Sequence, residues 1–347
     1  ISADAFEGIE LNKVKLYVPA GKTGAYQAAD VWKGFDVQEI PGGKLSTGLH
    51  WQYIPSSHTL SITGSGAMPD FADFNDQPWK DLREKKIKTV VIEAGVTSIG
   101  NRAFTGCDVL TSVTLPGSGL ETIGEKAFMG CEKLSSITIP KSVTTIGDGA
   151  FTNCWKLASV TLPADAKLDT IGKDAFSDCP ALTSISLPKS ATTIEDRAFS
   201  VCEALTSVTL PAGLKTLGEV AFTGCDALTS IELPASLETI GTEALNAGGL
   251  TEIKVQTGNT HFEAEDGVLY NKGQTALLRY PRKKPGTTFA VPASVTTIGA
   301  YAFSECAALK SVTIPKKVET IGSNAFSECL ALKSITIPKK VGTIGDF

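Results

Sequence analysis

The apolar and polar positions of this chain repeat with a period of about 23 residues, and a repeat of this kind decides the fold. The dipeptide Ala-Phe marks the period most clearly. Its phenylalanine stands at Phe104, Phe128, Phe151, Phe176, Phe199, Phe222, Phe303 and Phe326. Leu245 takes the expected place of the next one, a single period after Phe222. The pattern predicts an array of similar units that stack on one another, because one unit alone buries too little apolar surface.

Each unit has the pattern of two short strands joined by turns. Segment 110–116 alternates inward and outward positions as L-x-x-V-x-L and then ends at Pro, which cannot donate to a β-ladder. A second apolar pair follows at Leu120 and Ile123. Gly124 comes next and is predicted to form a tight corner with an unusual φ. The spacing in Ala-Phe-x-x-Cys predicts one helical or 3₁₀ turn that points Phe and Cys inward.

The fuller pattern, I-G-x-x-A-F-x-x-C-x-x-L-x-x-[VI]-x-[LI]-P, resembles the BspA-like leucine-rich repeats of bacterial surface antigens. The similarity covers residues 87–347 almost continuously. It implies an α+β repeat solenoid, a right-handed leucine-rich-repeat superhelix with a parallel β-sheet on its concave face. Short strands, turns and short helical turns are expected elsewhere. It also implies a secreted or cell-surface protein that binds other proteins and is not an enzyme.

The two ends of the chain depart from the repeat. Residues 1–43 resemble the C-terminal capping segment of a preceding repeat module, followed by a linker. Residues 44–86 resemble the N-terminal cap of a second module, and 87–347 are its array. The alternative is a single continuous solenoid with an irregular start. The repeat pattern is under way at both ends, so we expect a piece of a longer protein.

The array is interrupted once. Phe303 follows Leu245 at more than twice the period, so one repeat and a longer extra stretch separate them. Within the predicted insert, 256–290, two apolar runs flank a Gly-containing turn at 271–273. Two such runs around a turn predict a β-hairpin.

Composition adds mainly exclusions. The 347 residues are 42% hydrophobic and 20% charged, with a formal net charge of −5. This balance fits a soluble folded protein and gives no electrostatic reason to expect nucleic acid or an anionic membrane as partner. No apolar run approaches the roughly 20 residues that span a bilayer. No signal peptide is visible at Ile1. A monomer is expected.

The eight cysteines share one position in the repeat, three residues after its phenylalanine. They are Cys107, Cys131, Cys154, Cys179, Cys202, Cys225, Cys306 and Cys329. In a stack their Cβ vectors run parallel, at the spacing of neighbouring units, whereas a disulfide needs Cβ atoms about 3.8 Å apart and converging. Buried free thiols that act as small hydrophobic side chains are therefore predicted.

Other candidate chemistry is weak. A zinc site is not expected, because no C-x₂₋₄-C pair exists and His50, His58 and His261 are scattered. No Cys has a His at a fixed offset, as a thiol nucleophile would need. Gly64-x-Gly66 lacks the third Gly of a nucleotide loop, and the aspartates at 70–76 lack the calcium-loop spacing. No metal and no cofactor is predicted.

The outward strand positions are hydroxyl residues in most units, such as Ser136 and Thr138. Such rows also serve sheet formation alone. The row changes where charged residues enter it, next to the predicted hairpin with its Tyr and Arg residues. The candidate ligand-binding residues at this irregularity are Glu232, Glu252, Lys254, Tyr270, Arg279, Tyr280 and Arg282.

Three functions stay open at this stage. The first is a surface scaffold that binds an unknown protein, with a host or matrix protein and a role in adhesion or host contact as the hypothesis. The second is a glycan-binding module, which would favour an aromatic platform that the hydroxyl row lacks. The third is an architectural spacer within a larger surface protein.

Overall fold

The computed structural model describes residues 3–19 and 21–346. Ala20, in the predicted cap, and Phe347, in the last repeat, lie outside the described residues. The first elements are 3₁₀ helices at Ala3–Phe6 and Leu11–Lys13, β1 (Lys15–Val18), α1 (Thr23–Ala28) and β2 (Asp36–Glu39). Strands β1 and β2 pair in parallel. Phe6 packs edge-on against Phe35 with ring centroids 5.1 Å apart, so this segment has an aromatic cluster of its own.

The next segment is a meander that leads into the array. It contains β3 (Gly42–Ser46), β4 (Leu49–Ile54), β5 (Thr59–Gly64), β6 (Gly66–Ala67), a 3₁₀ helix at Phe74–Asp76 and α2 (Lys80–Arg83). Strands β3, β4 and β5 pair antiparallel, and β5 then pairs in parallel with the first strand of the array. Trp79 is fully buried and stacks on Phe104 at 5.5 Å between ring centroids, which covers the first repeat phenylalanine. The division of the chain at 43 and 86 stays a prediction.

The array places two strands in each unit. In chain order they are β7 (Thr89–Ile92), β8 (Val96–Ile99), β9 (Ser112–Thr114), β10 (Thr122–Ile123), β11 (Ser136–Thr138), β12 (Thr145–Ile146), β13 (Ser159–Thr161), β14 (Thr170–Ile171), β15 (Ser184–Ser186), β16 (Thr193–Ile194), β17 (Ser207–Thr209), β18 (Thr216–Leu217), β19 (Ser230–Leu233) and β20 (Thr239–Ile240). The even-numbered strands from β6 to β20 form one parallel sheet of eight. The first strands of the units lie in other sheets: β7 and β9 extend the sheet β3–β4–β5, β11, β13, β15 and β17 form a sheet of four, and β19 pairs with a later strand.

After β20 come the strands of the interruption and of the last units. They are β21 (Glu252–Val255), β22 (Phe262–Glu265), β23 (Val268–Asn271), β24 (Ala276–Arg279), β25 (Thr288–Ala290), β26 (Thr297–Ile298), β27 (Ser311–Thr313), β28 (Thr320–Ile321) and β29 (Thr343–Ile344). Strands β22, β23 and β24 pair antiparallel, so the hairpin has a third strand. Strand β24 then pairs in parallel with β26 and so returns to the repeat.

Residues at equivalent positions of neighbouring units lie side by side. Ile123 lies beside Ile146, and Ile137 lies beside Val160. The repeat phenylalanines stack in the same way: the rings of Phe151 and Phe176 are 5.2 Å apart and nearly parallel. The predicted β-solenoid of parallel strands, with the period read from the Ala-Phe dipeptides, is confirmed.

The turn predicted from Phe to Cys is present, since the N–H of Cys131 donates to the carbonyl of Phe128 at 3.2 Å, but it does not extend into a helix. The α+β description is therefore correct only for the strands. Between 87 and 346 the structure contains no helix. Alternate N–H groups point in different directions at this corner. Ala127 donates back along the chain to Gly124, while Phe128 donates to the carbonyl of Ala150 in the next unit, at 2.8 Å. A continuing helix would instead bond successive N–H groups to carbonyls of the same segment.

The repeat glycine has a different role from the one predicted. Its φ is not in the left-handed region at Gly124 or Gly147. A Cβ added at Gly147 would instead lie 2.8 Å from the backbone nitrogen of Glu125 in the previous unit. Glycine is used here because stacked corners approach closely, although Glu195 takes this place in one unit. The left-handed φ belongs to a residue two places later, such as Lys126 at 54°.

Candidate functional site

The cysteines form one column inside the solenoid. All eight are free, and seven of them are buried, while Cys329 near the last unit is half-buried. Each thiol from the second onward donates a hydrogen bond to the carbonyl of the aromatic residue in the previous unit. Examples are Cys179 to Phe151 and Cys202 to Phe176, both at 3.2 Å. The prediction of buried free thiols is confirmed.

These thiols are poor nucleophiles. Burial raises the pKa of Cys154 and of Cys225 to about 12, because a thiolate would lose its hydration. Within the described part of the chain, no group of three or more His, Cys, Asp or Glu side chains is arranged to hold a metal ion. The cysteine column is therefore part of the packing between units.

The first strands of the units present a row of exposed hydroxyl groups. Ser136, Thr138, Ser159 and Thr161 are all exposed, while the residues between them face the core. The row is regular from β9 to β17. A regular, uncharged row offers no position that differs from its neighbours.

The row becomes charged at β19 and β21, which pair in parallel. Glu232 lies beside Lys254 in this pair, and Ser230 lies beside Glu252. Lys254 Nζ is 2.7 Å from Glu252 Oε1, and this hydrogen bond together with the attraction of the carboxylate raises the pKa of Lys254. Glu232 and Lys254 are exposed and Glu252 is half-buried. We call these three residues the charged patch.

The other four candidate residues lie elsewhere. Tyr270 and Tyr280 are only 1% and 2% exposed, and Arg279 is 5% exposed, so all three belong to the interior. Burial raises the pKa of Tyr280 to about 12. Arg282 is partly exposed and forms an ion pair with Glu305. The structure thus brings Glu232, Glu252 and Lys254 together on the surface and leaves the two tyrosines as core residues.

Tyr280 replaces a repeat phenylalanine. Its N–H donates to the carbonyl of Ala302 at 2.8 Å, as each repeat Phe does to the next unit, and its carbonyl accepts from the Cys306 thiol at 3.7 Å. The sequence contains the signal, because Tyr280 precedes Phe303 by a single full period. The segment from Leu245 to Tyr280 is therefore only about half a period longer than an ordinary unit.

The solenoid is interrupted between the units of Leu245 and Tyr280. Strand β20 ends its sheet, and the second strands of the later units belong to a separate sheet, β22–β23–β24–β26–β28–β29. The interior divides at the same place into two apolar clusters, one that reaches from Leu49 to Leu269 and one that holds Tyr280 and the last units. Gly248 stands where a cysteine is expected, and a Cβ there would lie 2.1 Å from Asp226 Oδ1.

Polar side chains connect the two halves. The Arg279 guanidinium donates to Asn246 Oδ1 and to the carbonyls of Tyr301 and Ser304. Asn246 in turn donates to Glu305 Oε1 at 3.1 Å. Asn246 is 3% exposed, so this network lies inside the molecule. These side chains, together with the backbone bond from the N–H of Lys283 to the carbonyl of Leu250, join two units that lack the rest of the backbone ladder.

The comparisons agree with this architecture. Residues 82–168, 169–272 and 282–347 match the family model described as BspA type Leucine rich repeat region, in six copies. No curated protein matches the chain in sequence. In the part that the structure describes, no helix has the length and apolar character needed to cross a membrane.

Solved bacterial proteins are similar to this chain. A leucine rich cell surface protein from Faecalibacterium prausnitzii is 24% identical, with a TM-score of 0.54 over 86% of this chain and 93% of the other. A leucine-rich repeat protein from Eubacterium ventriosum is 29% identical, with a TM-score of 0.45 over 88% and 68%. One from Bacteroides ovatus is 22% identical, with a TM-score of 0.46 over 84% and 94%. The first of these supports the solenoid fold.

Proposed function

Because this chain belongs to the BspA-type leucine-rich-repeat family, we propose that it is a non-enzymatic scaffold that binds another protein at a bacterial cell surface. Repeat solenoids present extended surfaces on which a partner can lie. The family match and the cell-surface description of the Faecalibacterium prausnitzii protein support this proposal. Adhesion or contact with a host or matrix protein is the role that we assign to it.

One observation carries the choice of binding surface. The exposed hydroxyl row is uncharged from β9 to β17, and the charged patch of Glu232, Glu252 and Lys254 is where it changes. A protein partner can align on the regular row and be selected at the patch, because opposed charges favour one partner and reject others. The row offers no aromatic platform for sugar rings, which argues against the glycan alternative.

The test is a binding screen of the purified chain against extracellular-matrix proteins and a glycan array. The affinity for any protein that binds is measured again with the triple variant Glu232→Lys, Glu252→Lys, Lys254→Glu. The matched control reverses an exposed pair directly before β18 and β20, Lys215→Glu with Glu238→Lys, whose charged atoms are 3.6 Å apart. We expect the patch variant to weaken binding at least about tenfold, and the control to retain it.

Three results would contradict the proposal. Full binding by the triple variant would remove the patch as the contact surface. Binding to glycans alone would favour the lectin-like alternative. Binding to no protein at all would favour an architectural spacer.

A further inference from the structure

A cleft of about 260 Å³ lies at the interruption of the solenoid. One wall is segment 240–245, which follows β20 to the place of the missing repeat phenylalanine. The opposite wall consists of 278–279 and 299–301, from the next two units. Phe262 and Leu269 of the three-stranded insert also line it. The cleft therefore separates two units that would otherwise be in direct backbone contact.

Backbone donors on one wall have lost their acceptors. In the preceding unit Val220 donates its N–H to Thr242, and Phe222 donates to Ala244. The equivalent N–H groups belong to Glu243 and Leu245, and neither has an acceptor within 3–19 and 21–346. Both residues line the cleft. Backbone N–H groups in folded proteins are nearly always paired, so two unpaired donors that line one cleft indicate a place for an acceptor.

The opposite wall adds a charged donor. Arg279 stands at the position that alanine holds in the other units, and it lines the cleft. Its terminal nitrogens are bonded to Tyr301, Asn246 and Ser304, but its Nε is buried and has no partner in the described structure. A buried guanidinium with a free N–H attracts an anionic oxygen more strongly than any neutral group.

We propose that this cleft binds a carboxylate carried on a compact apolar group. The carboxylate accepts from Arg279 and from the unpaired backbone N–H groups, while Ile240, Leu245 and Leu278 surround the apolar group. The volume is below the roughly 300–1,000 Å³ of sites for drug-sized molecules, so the ligand is small. A free aliphatic acid and the C-terminal residue of a peptide share this chemistry. The site does not depend on the function proposed above.

Glu243 also lines the cleft. Burial raises the pKa of its carboxyl, although Arg279 lowers it, and the raised pKa favours the neutral form of Glu243 beside a bound carboxylate.

The test uses the whole chain and calorimetric titration with 4-methylpentanoate. The neutral analogue 4-methylpentan-1-ol has the same branched chain, so the difference between them measures the carboxylate. The blocking variant is Ala300→Phe, at an exposed residue of the cleft wall. Its matched control is Glu219→Phe, at the equivalent exposed position of a unit whose backbone ladder is intact.

We expect the acid to bind at least about tenfold more tightly than the alcohol. Ala300→Phe should abolish this binding, and Glu219→Phe should retain it. A short peptide that ends in leucine is then titrated with a free and with an amidated C-terminus. Binding of the free form alone would show that the cleft accepts the C-terminal carboxylate of a peptide. The proposal is overturned by absence of acid binding, by equal binding of acid and alcohol, or by equal binding of the two variants.

Discussion

The Sγ atom of Cys154 lies 3.3 Å from the carbonyl oxygen of Phe128 and donates a hydrogen bond to it from the next unit. The same contact recurs along the column, so each cysteine after Cys107 connects a unit to the one before it. We expect the native chain to expose at most Cys329, which is half-buried, to a thiol reagent at neutral pH. Thiol titration should find eight reactive groups after unfolding without reductant. Markedly fewer than eight would show that disulfides exist.

Alkaline pH should destabilise the chain. The pKa of Cys154 is about 12 in the folded state, against about 8.5 in an unfolded chain. Between these values the folded state holds a proton that the unfolded state has released, so stability is complete below about pH 8.5 and falls as the pH rises towards 12. The midpoint of urea unfolding, measured at several pH values from 7 to 10.5, follows this loss of stability.

The variant Cys154→Ala isolates the contribution of one thiol to this pH dependence. It should reduce the slope of unfolding free energy against pH by up to about 1.4 kcal/mol per unit above pH 9. Lysines titrate in the same range but are common to both proteins. Identical slopes in the variant and the parent would refute the assignment.

Val201 has a backbone conformation that suits it poorly. Its φ is 58°, in the left-handed region, where a β-branched residue is strained. Asn153 holds the equivalent position of an earlier unit with a φ of 60°, and asparagine tolerates this region. Val201→Asn should raise the free energy of unfolding by about 0.5–1 kcal/mol, a range typical of backbone effects. The reverse substitution, Asn153→Val, should lower it by a similar amount. Urea unfolding of both variants checks the pair, and a change of the same sign in both would contradict it.

Asn246 is expected to hold the two halves of the solenoid together. Asn246→Ala removes a bond to the buried Arg279 guanidinium and one to Glu305. Loss of a partner from a buried charge is costly, and we expect destabilisation by about 2–4 kcal/mol. Ser200→Ala, at the equivalent buried position of an intact unit, should cost less than about 1 kcal/mol.

The unfolding curves test this connection directly. In Asn246→Ala, the transition seen by tryptophan fluorescence should separate from the transition seen by circular dichroism, because all four tryptophans precede the interruption and the two apolar clusters no longer unfold as one unit. Coincident transitions together with a small loss of stability would show that the network contributes little.

Most of the fold follows from the sequence because each unit packs against near-copies of itself. The residue beside Ile123 is the Ile146 of the next unit, so the chain's own period predicts the neighbours. The same reasoning identifies the cysteines as free and buried. The departures are harder to interpret. Charge and aromatic content made Tyr280 resemble a surface ligand contact, yet it is a core residue whose place depends on the register of the insert.

The sequence by itself determined the period, the stacking of identical positions and the buried thiol column, since all three depend on contacts between repeated units. Tertiary structure alone decided the rest. The Ala-Phe corner is a turn and not a helix because the N–H of Phe128 finds its acceptor in Ala150 of the next unit. The repeat glycine fits the close approach of a neighbouring backbone, although one unit has Glu195 in its place. The cleft beside Arg279 exists because the insert prevents two units from completing the ladder between them.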